Sequence, residues 1–207
     1  MDIEKVKQIR DKTSLGLNES KKLLEKYGTV EKSLVQWHLE SQWMEEQKAS
    51  RKYEDIDDLW VFKEKWCENI KESDKPFLKP LSDKYCAELW AEYVSEQHRH
   101  LMLVNDDAEW KIKEKVIQEY SWMPDWNNDN ISAFQENIAP LLNWNTDEQV
   151  YFFWGRNSGL ETQWKYLCCY WIAFLYDDEM NIVINPKSEK VLILGVHGYV
   201  ATGTREV

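Results

Sequence analysis

One segment limits the fold more than any other. Val150-Tyr151-Phe152-Phe153-Trp154 is an unbroken run of β-formers with the length of a buried strand. Gly155-Arg156-Asn157-Ser158-Gly159 turns the chain, and Leu160, Trp164, Leu167, Trp171 and Phe174 or Leu175 then mark a strongly apolar helix. Ile182-Val183-Ile184, Val191-Leu192-Ile193-Leu194 and Tyr199-Val200-Ala201 read as two or three further strands, with His197-Gly198 as a hairpin turn. The pattern predicts an antiparallel sheet with helices packed on one face, an α+β domain. Upstream, Leu59-Trp60-Val61-Phe62 is a short strand candidate. Ser82 caps a helix that carries Tyr85, Leu89, Trp90, Tyr93 and Val94 on one stripe and ends near Gln97-His98-Arg99-His100. Trp110, Val116 and Ile117 mark a further helix, and Asn130 caps another through Ile131, Phe134, Ile138 and Leu141.

The first 50 residues follow a helical rule. Ile3, Val6 and Ile9 share one face of a first helix that breaks around Thr13-Ser14-Leu15-Gly16-Leu17. Asn18 caps a second helix with Leu23, Leu24 and Tyr27, which Gly28 stops, and Thr29 caps a third with Val30, Leu34, Val35 and Trp37 or His38. From Glu40 to Asp58 charged and polar residues dominate, as in a helix leaving its packing face and then a linker. The domain plan is a three-helix module over residues 1–50, a charged linker over 51–58, and a Trp-rich acidic α+β domain over 59–207.

Charge narrows the partners. Residues 1–57 hold 11 Lys and Arg against 12 Asp and Glu, whereas residues 58–207 hold 15 against 25, so nearly all of the net charge of -11 sits in the second part. Such a field repels a phosphate backbone and argues against direct nucleic-acid binding, while it speeds the approach of a basic protein. No segment has the roughly 20 apolar residues of a membrane span, and the charged first residues carry no apolar leader. Cys67, Cys86, Cys168 and Cys169, with an adjacent pair, fit reduced and mostly buried thiols, hence a cytoplasmic protein.

Chemistry is hard to find. Close pairs of metal ligands are limited to His98-x-His100 and Cys168-Cys169, and Asp177-Asp178-Glu179 reads as a solvated turn. The 155–159 loop matches neither a nucleophile elbow nor a phosphate loop, so a hydrolase using Ser158 and His197 is the lesser alternative. No catalytic, metal or cofactor residue is assigned. Arg156 and Trp164, an Arg and an aromatic beside a loop, are the candidate interface anchors of this domain. Most of the twelve Trp are expected in the core, with Trp43 and Trp126 as candidates for a contact surface.

Two resemblances add to this reading. The order of helix, Thr13-Ser-Leu-Gly16 loop, Lys21-Lys-Leu-Leu24 helix and Gly28-Thr-Val-Glu-Lys32 helix resembles the ubiquitin-associated-like domain that opens elongation factor Ts. That resemblance implies docking on the nucleotide-binding domain of elongation factor Tu, through Leu15, Gly16 and Leu17 in the loop and Lys21 and Lys22 beside it. No Thr-Asp-Phe segment follows the third helix, so nucleotide exchange is not implied. Residues 59–205 are similar to an uncharacterised bacterial family of Trp-rich α+β domains, through Leu59 to Phe62, Lys79 to Ser82 with Glu88-Leu-Trp90, and Tyr151 to Tyr176. Their strand, helix, strand ending is also similar in architecture to immunity proteins that neutralise toxin domains. The expected function is therefore non-enzymatic protein binding, either masking a basic partner such as a nuclease toxin domain or docking on elongation factor Tu or a related GTPase.

Overall fold

The computed structural model describes residues 2–58, 60–63, 69–99, 110–176 and 180–206. They divide into two compact units, Met1–Arg51 and Lys52–Val207.

The first unit is three helices. Helix α1 (Ile3–Thr13) opens with the Asp2 carboxylate accepting from the Glu4 amide and closes at Ser14 in the left-handed region. Helix α2 (Leu17–Tyr27) is capped by the Glu19 carboxylate, which accepts from the Gly16 amide at 3.0 Å. Asn18 therefore lies inside the first turn rather than at the cap, because Glu19 already satisfies the backbone there. Gly28 ends α2 at φ 79°, where a side chain would be strained. Thr29 Oγ1 accepts from the Lys32 amide at 3.2 Å and starts α3 (Val30–Ser50). Val6, Ile9 and Leu24 form the core with Val30 against them, and the buried Ser20 and Ser33 return their hydroxyls to backbone carbonyls where the helices approach. Ile3 is exposed, since it precedes the stretch of α1 that meets its neighbours.

In the second unit the elements run β1 (Lys79–Pro80), α4 (Asp83–Tyr93), β2 (Lys113–Ile117), α5 (Met123–Asn127), α6 (Ala139–Leu142), β3 (Gln149–Gly155), β4 (Ser158–Gln163), α7 (Trp164–Phe174), β5 (Asn181–Ile184), β6 (Lys190–Leu194) and β7 (Val200–Thr204). Among the described residues, seven strands form one antiparallel sheet in the order β1-β4-β3-β5-β6-β7-β2. The unit is mixed α+β.

Alternation along the central strands builds two cores. Phe152, Trp154, Val183, Leu192 and Val200 face α7 and the helical turns of residues 123–142. Tyr151, Phe153, Ile182, Ile184, Val191, Ile193 and Ala201 face α4. The sheet is thus covered on both sides rather than one, which is why its central strands read as continuous apolar runs. Tryptophans tie the first core together: Trp154, Trp171 and Trp126 donate their indole N–H groups to the carbonyls of Phe174, Ile131 and Ile172. Trp126 belongs to that core and not to a contact surface.

Four readings of the sequence change. Gly155 and Ser158 are cross-strand partners, so the 155–159 loop is a hairpin turn, Leu160 lies in β4, and the helix begins only at Trp164. Val116 and Ile117 sit in edge strand β2, pairing with Thr202 and Ala201, because the open backbone edge of β7 competes for them more effectively than a helix does. Trp60–Lys63 is a short 3-10 turn and not a strand, and Leu59 lies outside the described residues. Helix α4 ends at Tyr93. Cys86 and Cys168 are buried, and burial pushes both thiols up, but Cys169 is exposed. Cys67, His100 and residues 177–179 lie outside the described residues.

Candidate functional site

The residues singled out in the helical unit lie on an open surface. Leu15 is half-buried, and Gly16, Leu17, Lys21 and Lys22 are exposed along the α1–α2 loop and the first turns of α2. Lys21 has a long ion pair with Glu25 at 3.9 Å. A second exposed set lies on α3. Val35, Leu39 and Trp43 recur every four residues on α3, are 61%, 52% and 61% exposed, and continue to Met44. Helix α3 has 21 residues against 11 in α1 and in α2, so it outruns the helices that could cover it. The sequence reading places Val35 in the core pattern of the third helix and names Trp43 as a candidate for a contact surface; Trp43 is on the exposed face, and so is Val35.

Neither anchor proposed for the second unit is free. Trp164 is 1% exposed and packs against Phe134 and Trp144 at centroid distances of 5.7 and 4.9 Å, so it serves the core and offers nothing to a partner. Arg156 ties the β3–β4 turn to the segment after α4, its Nη1 donating to the Glu96 carbonyl and its amide to that of Arg99, both at 3.0 Å. Ser158 begins β4, while His197 lies in the turn between β6 and β7. Three strand spacings separate β4 from β6, roughly 14 Å, which keeps the two side chains out of hydrogen-bond reach.

What the fold does assemble is a row of tyrosines across the α4 face of the sheet. Tyr151 on β3 stands opposite Glu161 on β4. Tyr85 and Tyr93, two helical steps of four apart on α4, flank it: Tyr85 hydrogen-bonds Tyr151, and Tyr93 stacks on Tyr151 at 5.9 Å. Tyr53 meets Tyr85 edge-on at 6.1 Å. An ionisable group closes each end of the row. At one end the buried Glu161 carboxylate accepts from the Tyr53 hydroxyl at 2.8 Å and from Lys79 Nζ at 3.0 Å. At the other, the Arg205 guanidinium lies over the Tyr93 ring at 4.9 Å.

Burial sets the protonation of three of these phenols. Desolvation, then the hydrogen bond to Glu161, pushes the Tyr53 phenol up, and desolvation followed by the bond with Tyr85 does the same for Tyr151. Desolvation pushes Tyr93 up to about 12. The phenols of Tyr53, Tyr93 and Tyr151 therefore stay protonated at physiological pH. Beside Glu161 opens a cavity of about 470 Å³ lined by Lys79, Gln149, Thr162, Gln163 and Lys187 among others. Thr162 Oγ1 and Gln163 Oε1 are buried there without a partner among the described residues. The arrangement can hold a polar ligand, but it contains no nucleophile with a base beside it. Sequence reasoning missed Glu161 because it was placed on a helix, and Arg205 because its contacts come from the turn after β5 and from Tyr93 on α4.

Among the described residues no group of three His, Cys, Asp or Glu side chains is placed to hold a metal ion. No described helix is long and apolar enough to cross a membrane. Comparison with curated proteins and with solved structures gives no significant match. The family described as "Protein of unknown function (DUF2947)" matches residues 50–203, which takes in the sheet up to Gly203 of β7, the four tyrosines of the row and Glu161. By that match over most of its length, the chain belongs to the DUF2947 family.

Proposed function

We propose that the protein works by binding another protein and that its helical unit is the docking surface. The supporting observation is the apolar stripe Val35, Leu39 and Trp43, left in water on a helix whose own unit cannot cover it. Exposed Leu17 with Lys21 and Lys22 extends the surface toward the loop that, by resemblance to elongation factor Ts, docks on a GTPase. The partner on this reading is the nucleotide-binding domain of elongation factor Tu or a related GTPase. Titration of the full chain against purified elongation factor Tu tests it. Binding that falls at least tenfold in Leu17→Glu and in Trp43→Glu, with stability unchanged, supports the reading, and absent or unaltered binding rejects it.

The net charge of -10 over residues 58–207 favours a second reading, in which the α+β unit masks a basic partner such as a nuclease toxin domain. Its affinity then drops steeply from low to high salt and survives both substitutions in the helical unit. Salt-insensitive affinity sinks it.

A further inference from the structure

Beyond the C-terminal end of α4, a cavity of about 350 Å³ is lined by Tyr93, Trp110, Lys111, Lys113 and Arg205, with the carboxylates of Glu92 and Glu206. Two of these side chains are more than nine-tenths buried and hold hydrogen-bond donors with no acceptor among the described residues. Arg205 is 8% exposed: its Nη2 donates to the carbonyls of Asn185 and Pro186 at 3.0 Å, its Nη1 to that of Glu206 at 3.1 Å, and its Nε has no acceptor. No carboxylate among the described residues forms an ion pair with it. Trp110 is 4% exposed, and its indole Nε1 likewise has no acceptor.

Buried polar groups in folded proteins are almost always hydrogen-bonded, so two orphans on residues that line one cavity point to something that occupies it. Both orphans are donor-only groups, and the guanidinium is cationic, so the missing partner is an acceptor with negative charge. Charge balance limits that partner further. Arg205, Lys111, Lys113 and Lys115, the last over the Trp110 ring, face Glu92, Glu206 and the Glu96 partner of Lys111, an excess of one positive charge that a single negative charge neutralises. Lys111 is already engaged, donating to the carbonyls of Ala91 and Glu92 and to Glu96, which leaves the guanidinium as the principal anchor. Trp110 and the edge of the Tyr93 ring supply apolar wall, with Lys115 Nζ 4.6 Å from the Trp110 ring centroid. Desolvation lowers the Arg205 pKa, as expected of a buried cation that lacks its counter-ion.

We propose that this cavity binds a small monocarboxylate with a flat apolar body, its carboxylate accepting from Arg205 Nε–H and Trp110 Nε1–H. The site is independent of the docking surface on the helical unit.

The test is a titration of the full chain with benzoate, benzamide and inorganic phosphate, followed through indole and arginine Nε–H resonances. Benzoate is expected to bind saturably and to shift the Arg205 resonance and the indole resonance that Trp110→Phe deletes. Benzamide, the neutral isostere, is expected to bind at least about tenfold more weakly, and Trp110→Phe to weaken benzoate by about tenfold with the fold intact. Arg205→Lys is expected to abolish binding; should its lost carbonyl contacts unfold the chain, Trp110→Phe decides. Failure of benzoate to saturate, equal affinity for benzamide, preference for phosphate, or unchanged benzoate binding in Trp110→Phe overturns the proposal.

Discussion

A single buried carboxylate shows how this molecule uses its polar side chains. Glu161 is 6% exposed, and it is tolerated in the sheet because two donors reach it, one neutral from Tyr53 and one charged from Lys79. Tyr53→Phe removes one donor and leaves the charge half satisfied, so denaturant titration should show a loss of about 1–3 kcal/mol. Glu148 works differently. Its carboxylate accepts from Asn145 Nδ2 at 2.8 Å and Asn185 Nδ2 at 2.6 Å, and these hydrogen bonds, Asn145 first, hold it below the ordinary glutamate range. A carboxyl held low in the folded state adds stability that is present above its unfolded pKa and is lost as the pH falls through its folded one. Asn145→Ala should therefore cost about 1 kcal/mol at neutral pH and progressively less under acid conditions. A deficit of constant size across the acid range would show that Glu148 is not the partner that matters.

Individual elements differ in how openly the sequence announces them. The turn between β6 and β7 is the most explicit. His197 and Gly198 both take positive φ, 56° and 83°, as a tight hairpin of this hand requires. A Cβ on Gly198 would also collide with Ser121 Oγ and Met123. Gly198→Ala should cost about 1–3 kcal/mol, read as a lowered denaturation midpoint. Strand β3 was legible for a related reason: Tyr151, Phe152 and Phe153 are apolar toward both faces, and no helix period fits them. Its partner β4 was hidden, because Ser158, Gly159, Glu161 and Gln163 have little strand preference and are held in the strand by pairing with β3. Once β4 was absorbed into the following helix, Glu161 could not be placed opposite Tyr151, and the tyrosine row dissolved into a packing stripe on α4. Strand β2 was lost in the same way, since Val116 and Ile117 are exposed and their conformation is set by the edge of β7. Helix caps at Ser82 and Gly28 were readable because each is decided by one residue and its immediate neighbours.

On the scale of the whole molecule, phenols report on the fold. Tyr53, Tyr93, Tyr120, Tyr151 and Tyr170 are all pushed up, with desolvation as the leading cause and a hydrogen bond to a carboxylate or another tyrosine in support where the side chain has one. A phenol raised in the folded state contributes stability that is complete below its unfolded pKa and disappears as the pH climbs toward its folded one. Alkaline titration followed by ultraviolet absorbance should leave at least five of the ten tyrosines protonated past the ordinary phenol range, ionising only as the fold is lost. Uniform ionisation of all ten with the near-ultraviolet dichroism intact would contradict the buried row. The strand order carries a further consequence, one for synthesis. The two edges of the sheet, β1 and β2, are encoded at Lys79–Pro80 and Lys113–Ile117, whereas the five strands between them are all encoded after residue 148. A growing chain therefore makes the borders of its sheet before the middle, and α4 leaves the ribosome with its apolar stripe and nothing to lay it on. Strand β1 must then wait some 80 residues for Glu161 and Leu160, its partners in β4. During that interval the nascent protein depends on being sheltered, and any chain that stops short of β3 is left with edges and no sheet.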